Sequence, residues 1–178
     1  MGQYWIPVNL DKREFVHPHR LGAGLKLWEQ LASGVGTGTA LIALCAAMPE
    51  ARGCGDLGKT HIEGEKVVGR WAGDRIALVG DYAERGDLPE GDNADLIYSL
   101  CTTQSEVEEY ADWLANEGRE YEAKRLRKLK PLRDISDLVC SVIESELNGK
   151  FEGEGWRDFV RDGRILMTER HSEPSGAV

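Results

Sequence analysis

The chain has 178 residues, 41% hydrophobic and 30% charged, which excludes intrinsic disorder and gives length enough for one domain with its own core. Its 22 lysines and arginines are outnumbered by 31 aspartates and glutamates, leaving a net charge of −9. That balance argues against a nucleic-acid polymer or an anionic membrane as partner, since both require a basic footprint.

From the N-terminus, Gln3–Leu10 reads as a strand rich in aromatic and β-branched residues, placed at an edge or bulge by Pro7. Asp11–Glu14 is a polar turn, and Phe15–His19 reads as the returning strand of a hairpin. Leu25, Trp28 and Leu31 recur at helical spacing over 24–32, with Gly34 as terminator. Ala40–Met48 is apolar nearly all round and predicts a buried helix, capped by Thr37 or Thr39 and closed by Pro49. Residues 50–66, with four glycines, read as loop. Two β-like runs follow, Val67–Trp71 and Arg75–Val79, joined by Ala72-Gly73-Asp74; the continuous apolar run Ile76–Val79 predicts a strand in mid-sheet.

Residues 83–95 form an acidic, glycine-rich surface loop. Ser105 and Glu108 have capping-box spacing and predict a helix start, with Val107, Tyr110, Leu114 and Tyr121 as a narrow apolar stripe and a break near Gly118 before the helix resumes to Leu129. Residues 105–130 therefore read as a protruding, charged helical element. Beyond Pro131, Ile135, Leu138, Val139, Val142 and Ile143 give the clearest amphipathic helix, with Asp134 capping its start and Gly149 its end. Phe159-Val160 and Ile165–Met167 around Asp162-Gly163 predict a last hairpin, and 172–178 a frayed tail. The resulting fold class is α+β: one domain over 1–171, a mainly antiparallel sheet, and helices packed on one face.

The start Met1–Trp5 has neither the basic nor the apolar region of a secretory signal, and Ile6 stands where myristoylation needs Ser or Thr. No apolar run reaches membrane-spanning length. Cys45, Cys54, Cys101 and Cys140 are widely separated and form no CxxC pair. A reduced, cytoplasmic protein is the expectation.

Four features carry candidate chemistry. His17 and His19 at i and i+2 of a strand would share a face and could meet one metal, with a third ligand from Cys54, Asp56 or His61. The spacing matches no zinc motif, and two partly exposed histidines flanking a proline is the favoured reading. Asp74 and Asp81 stand at opposite ends of one strand, roughly 20 Å apart; Asp74 reads as a turn former, and Asp81, beside Tyr82, as a cleft residue. Gly34–Thr39 resembles an anion-binding helix start, but it has no P-loop lysine and no preceding strand, so it reads as a linker. Arg70, Trp71 and Arg75 could hold a phosphate and stack on a base. No catalytic motif is present, and no cofactor is expected.

The strings Met1–Trp5, Val8–Glu14, His17-Pro18-His19, Gly55-Asp56-Leu57 and Gly69–Arg75 resemble an uncharacterised family of small proteins from bacteriophages, bacteria and some fungi. The resemblance covers roughly 1–82 and 134–145, with the charged helix 105–130 as an insertion. It implies no activity, but it does imply a context: a cytoplasmic accessory protein encoded by a phage or prophage. The expected function is non-enzymatic binding of a small anionic, nucleotide-like ligand through Arg70, Trp71, Arg75 and Asp81, or of a host protein. The alternatives are a metal-dependent hydrolase or nucleotide-processing enzyme using the His17/His19 region, and a structural homo-oligomer associating through the 105–130 helix.

Overall fold

A computed structural model describes residues 3–32, 36–47, 60–89 and 93–150. The expectations for Gly34, Pro49, Cys54, Asp56, the side chain of Leu31, the hairpin at 159–167 and the tail at 172–178 lie outside them. Strand β1, Trp5–Asn9, pairs antiparallel with β2, Glu14–Phe15, and with β5, Ile76–Gly80; β2 pairs parallel with β6, Arg133–Asp134. The sheet order is β5-β1-β2-β6, so the α+β class with a mainly antiparallel sheet is the observed one.

Pro7 sits in the central strand, and the apolar run of β5 lies at the edge. Both placements reverse the expectation. Leu10 and Asp81 donate to Arg75 and Tyr4 across the β1–β5 ladder, so the even residues of β1 bond to β5 and Pro7 turns its missing N–H the other way. On that side β2 has already ended, and Pro7 only accepts from Val16, at 3.2 Å. Beyond this point the partners of β1 come from elsewhere: Trp5 N–H donates to Leu25 O, and the Gln30 amide donates to Trp5 O at 2.8 Å and to Leu25 O at 3.1 Å. This explains why the predicted helix over 24–32 shrinks to one turn, α1, Glu29–Ala32, with Gln30 buried and Trp28 75% exposed. Satisfying a strand edge outweighs the helical spacing of three apolar residues.

Asn9 builds the β1–β2 turn, its side-chain oxygen accepting from the backbone of Asp11 and Lys12. His17 and His19 do not continue β2, because a 3-10 turn over Pro18–Leu21 intervenes. Helix α2, Thr37–Cys45, is capped at Gly36 and not by a threonine side chain; Ala40 and Leu44 are buried while Ile42 is exposed. Within the predicted loop, β3, His61–Ile62, and β4, Glu65–Lys66, form a hairpin whose turn residues Glu63 and Gly64 both have positive φ, as a type I′ turn requires.

Val67–Trp71 is not a strand. Its backbone closes successive turns, from Arg70 to Val67, Ala72 to Gly69 and Asp74 to Trp71. Gly69 and Trp71 also donate to Ala43 and Leu44, satisfying carbonyls in the last turn of α2 that the helix leaves unbonded. Around buried Trp71 gather Val16, Leu44, Val67, Ile135, Val139 and Val142, a core that joins α2 to α6, Ser136–Lys150. Asp134 caps α6 as predicted, accepting from Ser136 N at 2.9 Å, while the helix runs on past Gly149.

The other core lies on the face carrying Ile6, Val8 and Val79. It is closed by α3, Ala94–Ile97, α4, Gln104–Asn116, and α5, Glu120–Leu126. Val107, Ala111, Leu114, Ala123 and Leu126 are all buried in it, so this charged pair of helices is part of the body and does not protrude. The capping box is Thr103 with Glu106, two residues before the predicted one, and the break falls at Gly118 as expected.

Candidate functional site

The six candidate residues fall in four places. Arg70 and Trp71 turn inward. The Arg70 guanidinium bonds both oxygens of Glu14 and also reaches Glu65 Oε2 at 3.0 Å. Trp71 is 1% exposed, and its indole donates to Glu14 Oε2 at 3.0 Å, so no base can stack on it. Arg75 lies at one end of β5, where its Nε and its backbone N–H both bond Asp11. Asp81 lies at the other end. The four residues expected to hold an anion therefore do not form one site.

The rings of His17 and His19 come within 5.5 Å, although the strand that should have aligned them is absent. Among the described residues no group of three or more His, Cys, Asp or Glu side chains converges. Burial, and then the neighbouring His19, lower the pKa of His17, so its imidazole is neutral at pH 7. Its Nδ1 is buried and has no hydrogen-bond partner among the described residues. Cys101 is buried, its thiol donates to Ile97 O, and burial pushes its pKa far up, which removes it as a nucleophile.

Asp81 and His17 do meet one feature: a groove running under α4. Two adjoining hollows, of about 520 and 450 Å³, share Asp81, Tyr98, Ser99 and Tyr110 in their walls. Asp81 is fixed by Tyr4, which accepts from its backbone N–H and donates its own N–H to Oδ1 at 3.0 Å. The 3-10 turn Tyr98–Leu100 forms the floor, and α4 and α5 supply Tyr110 and Tyr121. The chain has five tyrosines. Four line the groove, namely Tyr82, Tyr98, Tyr110 and Tyr121, and the fifth is Tyr4, bonded to Asp81. Tyr110 stacks on Trp113 with rings 5.4 Å apart, which extends the aromatic surface along α4.

The larger hollow also holds three arginines. Arg125 bonds both oxygens of Asp95, at 2.6 and 3.2 Å, and Asn93 at 2.9 Å. Arg85 and Arg125 approach the Tyr121 ring at 6.0 and 5.8 Å, and the Arg85 hydrogen bond to its hydroxyl lowers the phenol pKa. Arg119 pairs with Glu122. With Asp81, Glu84, Asp95 and Glu122 alongside, positive and negative charge nearly balance there.

The sequence pointed to Asp81 but not to the groove, because the larger hollow draws its walls from four segments spread over 80–125 and the smaller one adds Ile6, His17 and residues from 101–106. Tyr110 and Tyr121 read in the sequence as part of an apolar stripe, yet both are exposed; tyrosine on a charged helix is the signal that points to them. Compared with known proteins, the chain matches no family model, no curated sequence and no solved structure.

Proposed function

We propose that this protein is a non-enzymatic binding module that engages a partner protein through the groove between β5 and α4–α5. The observation that carries the reading is the convergence of four of the five tyrosines on that groove, with the backbone of the fifth, Tyr4, bonded to Asp81 in its wall. Tyrosine and arginine are the side chains most enriched where proteins bind proteins, because each combines apolar area with a directed polar tip. Arg70 and Trp71, which carried the expectation of a small anionic ligand, are committed to Glu14, and the groove arginines are matched by carboxylates. Both facts favour the host-protein branch. In the phage-encoded, cytoplasmic setting that the sequence resemblance implies, the partner is a host protein.

The test is a double variant, Tyr110→Ser with Tyr121→Ser, assayed against a partner first identified by proximity labelling in the host and then purified. Both side chains are solvent-exposed, so the fold should survive. Binding roughly tenfold weaker or worse is the expected result. Unchanged affinity, or a co-purifying small molecule whose release leaves partner binding intact, overturns the reading.

A further inference from the structure

The smaller hollow has a donor–acceptor pattern that identifies what enters it. Its walls include two carboxylates, Asp81 and Glu106, and neither lysine nor arginine. Glu106 is held ionised by the hydroxyls of Thr102 and Thr103 and the Thr103 N–H, which bring its pKa down to about 2. Asp81 Oδ1 accepts from Tyr4, whereas among the described residues no donor reaches Oδ2, the Tyr98 hydroxyl or the Ser99 hydroxyl. His17 also stands in the wall, and its Nδ1, sealed from solvent, has no partner among the described residues. Asp81 Oδ2 can only accept a hydrogen bond, the Tyr98 and Ser99 hydroxyls can accept or donate one, and the only fixed charge in these walls is carboxylate.

Two carboxylates with no lysine or arginine beside them favour a ligand head that brings donors and positive charge. Ammonium and guanidinium groups carry donors only, three on lysine and five on arginine. The chain's net charge of −9 draws a basic partner from solution. The larger hollow, with its paired arginines, offers no such preference. We propose that the Asp81–Glu106 hollow receives a lysine or arginine side chain of the partner protein. This rests on the protein-binding reading and adds the chemistry of the residue the partner contributes.

The experiment titrates full-length protein by NMR with blocked tripeptides, Gly-Arg-Gly, Gly-Lys-Gly and Gly-Glu-Gly. The expected result is saturable binding of a basic peptide with a dissociation constant on the order of 1 mM, shifting Tyr98, Ser99 and Thr102, with no saturation by the acidic one. Asp81→Asn, which keeps an acceptor for Tyr4 N–H, weakens binding at least about fivefold. Tyr98→Phe, which removes only the hydroxyl, also weakens it, while Glu122→Gln in the other hollow does not. Basic peptides that fail to saturate, an acidic peptide that binds as well, an unaffected Asp81→Asn, or a free diamine that binds more tightly than either basic peptide overturns the proposal. If partner binding remains sensitive to Tyr110→Ser with Tyr121→Ser while the basic peptides fail, only this inference falls.

Discussion

The guanidinium of Arg70 closes on the carboxylate of Glu14 through two hydrogen bonds, Nε to Oε2 at 2.8 Å and Nη2 to Oε1 at 2.5 Å. The pair is nearly sealed from solvent, and Trp71 donates to the same carboxylate. It joins β2 to the turn that follows β4 and seats the centre of the second core. Removing the Glu14 charge leaves the largely buried Arg70 guanidinium with only the partly exposed Glu65, at 3.0 Å, as counter-ion, which costs more than an exposed pair is worth. Glu14→Gln should destabilise the protein by about 3 kcal/mol, read as a lower urea midpoint with unchanged slope.

The same carboxylate sets a pH dependence. Burial pushes the Glu14 pKa up, but the hydrogen bonds from Arg70 and Trp71 and the charges of Arg70 and Arg133 outweigh it and hold the value below 4.5. A depressed carboxylate pKa contributes stability that is fully present above the unfolded value and lost as pH falls through the folded one. Wild type should therefore lose more stability between pH 6 and pH 3 than Glu14→Gln does, measured by urea unfolding at both pH values. Equal losses would show that other carboxylates carry the acid sensitivity.

Gly69 and Gly73 separate two costs of a side chain. Both have positive φ, 75° and 84°. A Cβ at Gly69 would lie 2.6 Å from the carbonyl oxygen of Ala46, while one at Gly73 meets nothing within 4 Å. Gly73→Ala should cost about 1 kcal/mol of backbone strain alone. Gly69→Ala adds displacement of the backbone that closes α2 and should cost at least ~2 kcal/mol. Comparable unfolding midpoints for the two variants would contradict the close approach of Gly69 to α2.

Gln30 is a side chain acting as a strand. Its amide donates to two main-chain carbonyls, Trp5 O and Leu25 O, at the place where β2 has ended. Gln30→Leu keeps the bulk and leaves both carbonyls without that donor, for an expected loss of about 1–3 kcal/mol. Amide exchange at Trp5, whose N–H bonds Leu25 O, should accelerate more than exchange at Ile6, whose side of β1 faces β5.

What the sequence made legible was periodicity and local chemistry. The α6 stripe from Ile135 to Ile143, its Asp134 cap, the first hairpin and the break at Gly118 all follow from side chains within a few residues of one another. What escaped depends on distant partners. Nothing near Val67–Trp71 announces that its N–H groups will serve α2, so β-branched composition suggested a strand. Ile76–Val79 is as apolar as a central strand, yet which side of β1 it takes is settled by Pro7, some 70 residues earlier. The candidate site divides in the same way. Asp81 stood out as a carboxylate at a strand end, but the tyrosines that surround it come from separate elements.

Leu126 decides whether the charged helices belong to the fold. Residues 105–130 read as an addition to the domain because their apolar stripe is narrow, and a free-standing pair of short helices would need little from the sheet. In the structure Leu126 is fully buried in one core with Val8 and Phe15 of the sheet and with Leu100. Leu132 N–H donates to Leu100 O just before the chain enters β6, so the helices also lie between two segments that the sheet must position. Leu126→Ala should then open a cavity in the main core and cost 2–5 kcal/mol, about the range for a buried leucine. Unfolding followed by tryptophan fluorescence and by far-ultraviolet circular dichroism should shift together, because one core joins the elements. If the helical signal melts early while the fluorescence transition of the remainder stays at its wild-type midpoint, α4 and α5 are a separable unit and the sheet does not depend on them.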